Sequence, residues 1–312
     1  MSKISKDDIT RVKALGFLHD KNTEDIFNAR VITRNGKITA EECRIISEAS
    51  EKFGSGKISM TVRMSMEIQG IPYENIEPLR NFLAEYGLET GGTGRKVRPV
   101  TSCKGTTCQY GLIDTYGLSE EIHKVFYKGY ENVSLPHKFK IAVGGCPNNC
   151  VKPDLNDVGI IGQRAPSVDL SKCRGCKVCQ VEKACPIKAS RKPDGEKVIY
   201  DSEKCNHCGR CMNKCPFKAY DNYKNGYGVY IGGRWGKQVS RAYMLSEIIT
   251  GREEVIKTVE KAILLFREQG ILGERFSDTI SRIGFENAEK ILLSDDILNR
   301  KEEILAMEIR KN

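Results

Sequence analysis

The chain has 312 residues, 39% of them hydrophobic and 29% charged, with a formal net charge of +9. That length admits two or three domains, and the composition is that of a globular protein. The longest apolar runs, such as Ala262-Ile263-Leu264-Leu265-Phe266, fall far short of the ~20 residues a membrane-spanning helix needs. Met1-Ser2-Lys3-Ile4-Ser5-Lys6 shows no apolar segment behind its lysines, so a cytoplasmic protein is expected. Basic residues are scattered without a run of five and without a nucleic-acid motif, so no nucleic acid is expected as partner. Thirteen cysteines in a chain read as cytoplasmic point to metal or redox chemistry rather than disulfides.

In chain order, residues 1–24 read as a polar lead-in around Leu15-Gly16-Phe17-Leu18, and 28–35 as a strand ending at an Asn35-Gly36 turn. Thr39-Ala40-Glu41-Glu42 is a capping box opening a helix whose apolar face carries Ile45, Ile46 and Ala49 and which Gly54 stops. Cys43 on this helix is expected to be a buried small hydrophobe. Residues 58–63 alternate with the period of a strand. A second helix follows from Glu74, with Ile76, Leu79, Phe82 and Leu83 on one face and Gly87 as its C-cap. Strand, helix, strand, helix within this span predicts a small α+β sandwich. Residues 139–143 read as a strand running into the Gly144-Gly145-Cys146-Pro147 loop, and 157–162 as another. Past a cysteine-rich stretch, 227–231 resumes as a strand. Ile256, Val259, Ile263 and Phe266 then lie at helical spacing over 253–268, and a polar helical tail runs over 286–312.

Eight cysteines between Cys173 and Cys215 form two repeats 32 residues apart: Cys173-x2-Cys176-x2-Cys179-x5-Cys185-Pro186 and Cys205-x2-Cys208-x2-Cys211-x3-Cys215-Pro216. The second has the spacing of a bacterial two-cluster ferredoxin, and the first has two extra residues before its last cysteine. Structural zinc also uses paired Cys-x2-Cys, but not a third cysteine at the same spacing plus Cys-Pro, twice over. In such modules the fourth ligand crosses between repeats. One [4Fe-4S] cluster is therefore expected on Cys173, Cys176, Cys179 and Cys215, and another on Cys205, Cys208, Cys211 and Cys185. His207 lies inside this motif, where the thiolates already complete the ligand set.

Four more cysteines fall outside the module. The segments Cys103-Lys104-Gly105-Thr106-Thr107-Cys108 and Gly144-Gly145-Cys146-Pro147-Asn148-Asn149-Cys150 resemble the sulfite and nitrite reductase family. That family joins a siroheme to a [4Fe-4S] cluster through a shared cysteine thiolate. Its pattern is Cys-x5-Cys followed later by Cys-x3-Cys. The second pair matches here, and the first is one residue short. Thr61-Val62-Arg63-Met64-Ser65-Met66 resembles the family strand that presents a substrate-binding arginine, here Arg63. Arg98 stands in the place of a second arginine. Pro136-His137-Lys138-Phe139-Lys140 resembles the active-site lysine pair, Lys138 and Lys140. Ile231-Gly232-Gly233-Arg234-Trp235-Gly236 resembles the glycine-rich siroheme-side segment, making Gly232, Gly233 and Arg234 cofactor-binding candidates. The resemblance covers residues 25–285, and the inserted module and single-copy size resemble the siroheme subunit of the anaerobic sulfite reductase type.

The resemblance implies an α+β reductase half-unit. Residues 1–95 would form a ferredoxin-like half-domain, 96–165 with 221–312 a siroheme/[4Fe-4S] domain, and 166–220 an inserted 2[4Fe-4S] ferredoxin domain. Cys103, Cys108, Cys146 and Cys150 would hold a third cluster, with Cys150 as the bridging thiolate. The implied reaction is six-electron reduction of sulfite to sulfide; a siroheme nitrite reductase and a non-catalytic iron–sulfur carrier are the alternatives. Electrons would come from NADH-linked flavoprotein and iron–sulfur subunits or from a ferredoxin, since the chain has no GxGxxG of its own. A homodimer or hetero-oligomer would complete the site.

The residue chemistry agrees with this reading. Arginines suit fixed binding of an oxyanion, and two lysines two residues apart on a strand face one side, where they can donate protons as oxygens leave. His137 beside them is a further donor candidate, and Arg30 a candidate partner for a siroheme carboxylate. Three thiolate-ligated cubes carry about −6 and the siroheme carboxylates about −8, which more than offsets the basic excess of +9 and leaves the loaded protein at about −5 without nucleic acid.

Overall fold

A computed structural model describes residues 4–311. The N-terminal body contains α1 (Lys6–Ala14), β1 (Phe17–His19), β2 (Ile26–Val31), α2 (Ala40–Phe53), β3 (Ile58–Met60), β4 (Met66–Pro72) and α3 (Ile76–Glu85). Its antiparallel sheet has the order β1-β2-β4-β3. The capping box forms: Thr39 Oγ1 accepts the Glu42 N–H at 3.1 Å, and Glu42 Oε2 accepts the Thr39 N–H at 2.6 Å. Ile45, Ile46 and Ala49 of α2 and Leu79, Phe82 and Leu83 of α3 cover the inward residues Phe27, Ala29, Val31, Met66 and Ile68.

Several local expectations shift. The polar lead-in is α1 and β1, tied to the core by Val12 and Phe17. The strand expected over 28–35 ends at Val31; Asn35 (φ +53) and Gly36 (φ +90) close a two-residue turn between Arg34 and Lys37. The strand expected over 58–63 stops at Met60, because Met64 turns left-handed (φ +63) and donates its N–H to the Thr61 carbonyl at 2.9 Å. Arg63 therefore sits on a hairpin turn rather than on a strand. Cys43 is exposed, on the outer side of α2.

The second body holds β5 (Thr101–Ser102), α4 (Thr115–Ile122), β6 (Ile141–Gly144) and β7 (Val158–Ser167). The cysteine-rich segment follows, with α5 (Gln180–Ala184), β8 (Ser190–Arg191) and β9 (Ile199–Tyr200). The chain then returns as β10 (Asn222–Ile231), β11 (Tyr243–Ile249) and α6 (Arg252–Gln269). Four short helices close it: α7 (Phe276–Ile283), α8 (Phe285–Leu293), α9 (Asp296–Asn299) and α10 (Lys301–Ala306). The sheet order is β11-β10-β7-β6-β5, parallel across β5, β6 and β7 and antiparallel at β10 and β11. Val259, Ile263 and Phe266 of α6 pack on Ile141, Val143, Val158, Ile160 and Val229. β11 and α4 carried no clear periodic signal in the sequence.

The cysteine-rich segment leaves the sheet where β7 ends and returns where β10 begins, with Ser167 paired to Asn222. An insertion whose ends are already paired is tolerated by the sheet beneath it. Its hydrophobic core is four buried residues, Val181, Val198, Ala219 and Tyr220, packed against Cys173, Cys179, Cys211 and Cys215. A subdomain of this size with so small a core needs cross-links or metal to stay folded. Among the described residues, no helix is long and apolar enough to cross a membrane.

Candidate functional site

A cavity of about 340 Å³ is lined by Arg30, Arg63, Arg98, Lys138 and Lys140, with the glycine backbone at Gly91 and Gly92. The hairpin turn delivers Arg63, whose Nη1 donates to Asn156 Oδ1 at 3.0 Å and Nη2 to the Pro99 carbonyl at 2.8 Å. Arg98 donates to the Gly92 carbonyl. Phe139, fully buried, bridges to Val97 just ahead of β6, so strand alternation already holds there and places Lys138 and Lys140 on the cavity side.

The cavity is strongly cationic. Arg30 is paired with Glu67 at 3.2 Å, but the Nε atoms of Arg63 and Arg98 are buried without a partner. Burial, with Arg98 adding to it, lowers the Arg63 guanidinium to about 10. Burial and Arg30 lower Arg98 to about 10 as well. Burial and then Arg63 bring Lys140 down to about 8, opposed by Asp157. Burial and the nearby Arg275 and Arg98 lower Lys138. His137 is pushed to about 4 by burial and Arg275, and its Nδ1 accepts the Lys138 N–H at 2.8 Å. That ring is neutral near pH 7, so of its neighbours the lysines are the cationic proton donors. Buried cations with unpartnered N–H groups in an open cavity fit an anionic ligand.

Behind the lysines stands a pair that sequence reasoning missed. Asp157 is fully buried, and both its oxygens accept from Arg275 Nη2 at 3.1 Å; Oδ2 also accepts the Lys140 N–H at 2.8 Å. Burial pushes the Asp157 carboxyl up, opposed by the Arg275 guanidinium and the Lys140 N–H. Asp157 and Arg275 are 118 residues apart, and nothing local in the sequence links them.

The reductase-body cysteines come together through two glycine loops. The Gly145 N–H donates to Cys103 Sγ at 3.1 Å. A Cβ on Gly105 would lie 2.7 Å from the Gly145 Cα, so only bare glycines let the two loops meet. Burial raises the Cys146 thiol, and Cys103, Cys150 and Cys108 are near enough to raise it further. Cys150 is exposed. In the module, one cavity is lined by Cys173, Cys176, Cys179 and Cys215, and another by Cys185, Cys205, Cys208 and Cys211. Among the described residues, no three His, Cys, Asp or Glu side chains converge to hold a single ion. The thiols instead surround small volumes, as the four corners of a cube require. The donor set and the small module core fit [4Fe-4S] clusters, and the cations of the cavity suit a small oxyanion and the carboxylates of a tetrapyrrole.

The glycine-rich segment has a structural role. Gly232 takes φ +82, and a Cβ on Gly233 would lie 2.4 Å from the Asn156 carbonyl oxygen. Arg234 pairs with Asp278 at 3.0 Å. None of the three lines the cation cavity.

A second cleft, of about 210 Å³, joins the two cysteine systems, with Cys146 on one wall and Cys208 on the other. The Arg164 N–H donates to the His207 carbonyl at 2.7 Å, and His207 Nδ1 meets Gln163 Oε1 at 2.9 Å. Arg210 stacks over Tyr110 at 5.1 Å. These contacts pin the module to β7 and to the loop that carries Tyr110.

A two-body scaffold that presents both clustered thiols and a separate anion-binding cavity is that of an iron–sulfur oxidoreductase. The chain belongs to the nitrite and sulfite reductase family: residues 93–297 match the nitrite and sulphite reductase 4Fe-4S domain, and 19–86 the nitrite/sulfite reductase ferredoxin-like half domain. It is 32% identical over 252 residues to the coenzyme F420-dependent sulfite reductase of Methanocaldococcus jannaschii, covering 78% of this chain and 38% of that protein. It is 31% identical over 165 residues to an anaerobic sulfite reductase subunit of Salmonella typhimurium, covering 48% of this chain and 47% of that one. The chain thus spans less than half the length of these two relatives. The fold matches the crystal structure of dissimilatory sulfite reductase I with a TM-score of 0.68 at 20% identity, over 93% of this chain and 73% of that one.

Proposed function

We propose that the chain is the siroheme-binding catalytic unit of a sulfite reductase, reducing sulfite to sulfide. The observation that carries this is the cavity in which Arg63, Arg98, Lys138 and Lys140 meet, with two buried guanidinium Nε atoms unpartnered. Arg63 and Arg98 would fix the oxyanion through charge-assisted N–H bonds. Lys140, lowered to about 8, holds a proton at neutral pH and can release it as oxygens leave. Asp157 orients the Lys140 backbone and holds Arg275 beside the cavity. Siroheme, when bound, supplies the iron centre at which electrons enter the substrate. Cys103, Cys108, Cys146 and Cys150 would hold its cluster, with exposed Cys150 as the shared thiolate.

The cysteine-rich segment would be an inserted two-cluster ferredoxin domain. The cleft shared by Cys146 and Cys208 supports the Cys205-containing cluster as its exit. Cysteines are absent from the described residues that line the cation cavity. Val62 at the hairpin tip is 97% exposed and Trp235 58%. We read these as a face for a second reductase unit, whose siroheme would meet these cations across a two-fold interface.

Nitrite reduction is the second reading, since the matching family model covers both substrates. Turnover with a reduced viologen dye separates them. Sulfide formed from sulfite at a higher kcat/KM than ammonium from nitrite is the expected result, and the reverse preference overturns the assignment.

A further inference from the structure

The module has two poles, and they differ. The pole carrying Cys208 is fastened to β7 and faces Cys146 across the shared cleft. The opposite pole, around Cys173, Cys176, Cys179 and Cys215, has a rim of another character. Val178 is 49% exposed and Phe217 45%, and both line that cavity together with Arg174, Lys192 and Lys214. Among the described residues that line it, none is acidic. Residues 166–220 as a whole carry twelve lysines and arginines against six aspartates and glutamates. Two thiolate-ligated cubes contribute about −4, so the loaded module stays positive. Exposed apolar side chains among cations, around four thiols in a cavity lined by module residues alone, are the features of a transient electron-transfer contact. The charges steer encounter, and the apolar patch gives close approach.

We propose that this pole is the docking site for a small acidic one-electron carrier protein, which reduces the cluster held by Cys173, Cys176, Cys179 and Cys215. The proposal rests on the two-cluster reading of the module, selects a small carrier protein among the expected donors and adds the point of entry. In each encounter the reduced carrier loses one electron and that cluster gains it; no bond forms and no proton moves. Electrons then pass to the cluster on Cys185, Cys205, Cys208 and Cys211, and across the cleft toward Cys146.

The test uses the full cofactor-loaded chain and a reduced acidic bacterial ferredoxin as probe. The ferredoxin is kept reduced at catalytic concentration by NADPH and a ferredoxin reductase, so that bleaching of the visible iron–sulfur absorbance reports the chain's own clusters; it is followed by stopped flow at low and high salt, and binding of the oxidised ferredoxin by calorimetry, which needs no turnover. Arg174→Glu with Lys214→Glu should slow ferredoxin-driven bleaching at least tenfold at low salt, weaken binding by a similar factor, and remove most of the salt dependence. The same variant should bleach normally with a viologen dye, which needs no protein contact. Lys204→Glu, an exposed lysine of the module that does not line this cavity, should change ferredoxin rates less than twofold. Ferredoxin rates and binding unchanged by the double substitution would overturn the docking site while leaving the clusters in place. A wild-type chain whose absorbance does not bleach even with dye would overturn the two-cluster reading, and this proposal with it.

Discussion

Asp157→Asn isolates what the buried ion pair does. In the native protein the carboxylate takes two bonds from Arg275 at 3.1 Å and one from the Lys140 N–H at 2.8 Å, at a position fully closed to solvent. Asparagine keeps the shape and one acceptor but removes the charge, leaving Arg275, itself only 5% exposed, without its counter-ion. Removing one member of a buried ion pair costs about 3–5 kcal/mol, and the surviving hydrogen bond offsets about 1 kcal/mol. A loss of about 2–4 kcal/mol is expected, read as a shift in the urea midpoint of the siroheme-free protein. Arg275→Met added to Asp157→Asn should restore at least about 1 kcal/mol, because the orphaned charge is gone. Asp157 also holds Lys140 up, so the single variant should lower Lys140 further and weaken oxyanion binding at neutral pH. A single-variant loss below about 1 kcal/mol, with no gain from the second substitution, would rule out this role for the pair.

Three further outcomes follow from the same geometry. Lys140 titrates at about 8 instead of the ordinary lysine value because burial penalises its charge. Between about 8 and that value the unfolded chain binds more protons, so this contribution to stability rises with pH. Lys140→Met should therefore stabilise the anion-free protein more near pH 7 than near pH 9.5, and equal denaturation shifts at both would contradict this. In Gly233→Ala the new Cβ meets the Asn156 and Asp154 carbonyl oxygens at 2.4 and 2.6 Å. A cost of about 1–3 kcal/mol, seen as a lower Tm, should come with weaker oxyanion binding, since Asn156 is an acceptor for Arg63; an unchanged Tm would show that this loop yields freely. Mixing Cys150→Ser with Lys138→Met/Lys140→Met chains should restore about a quarter of wild-type activity, because about half the dimers are mixed and each has one intact shared site. Mixed dimers that stay inactive would place each site within one chain.

Much of the chemistry was legible because it is local. Cysteine spacing, read with the crossed fourth ligand of bacterial two-cluster ferredoxins, groups the module thiols into the same two sets that line separate cavities. The two lysines could be put on one side because alternation needs only their neighbour Phe139. The capping box at Thr39 marked the start of α2 without tertiary information. What escaped depends on distant parts of the chain. The turn carrying Arg63 arises from a left-handed Met64, which no periodicity announces. Arg275 reaches Asp157 only after α6 has packed across the sheet. Cys43 was placed inside by its apolar character, but the burial on α2 falls on Ile45, Ile46 and Ala49 instead. β11 has an intermittent burial pattern and strand-to-strand support only from β10, so its sequence carries little period-two signal.

A siroheme centre wired to three clusters is tested most directly by the metal and chromophore content of anaerobically purified wild-type protein. About 13 iron and about 12 acid-labile sulfides per chain are expected, with the strong visible absorption of a tetrapyrrole that shifts when sulfite is added. About 8 iron, no tetrapyrrole band and no response to sulfite would contradict this and leave an iron–sulfur electron carrier in its place.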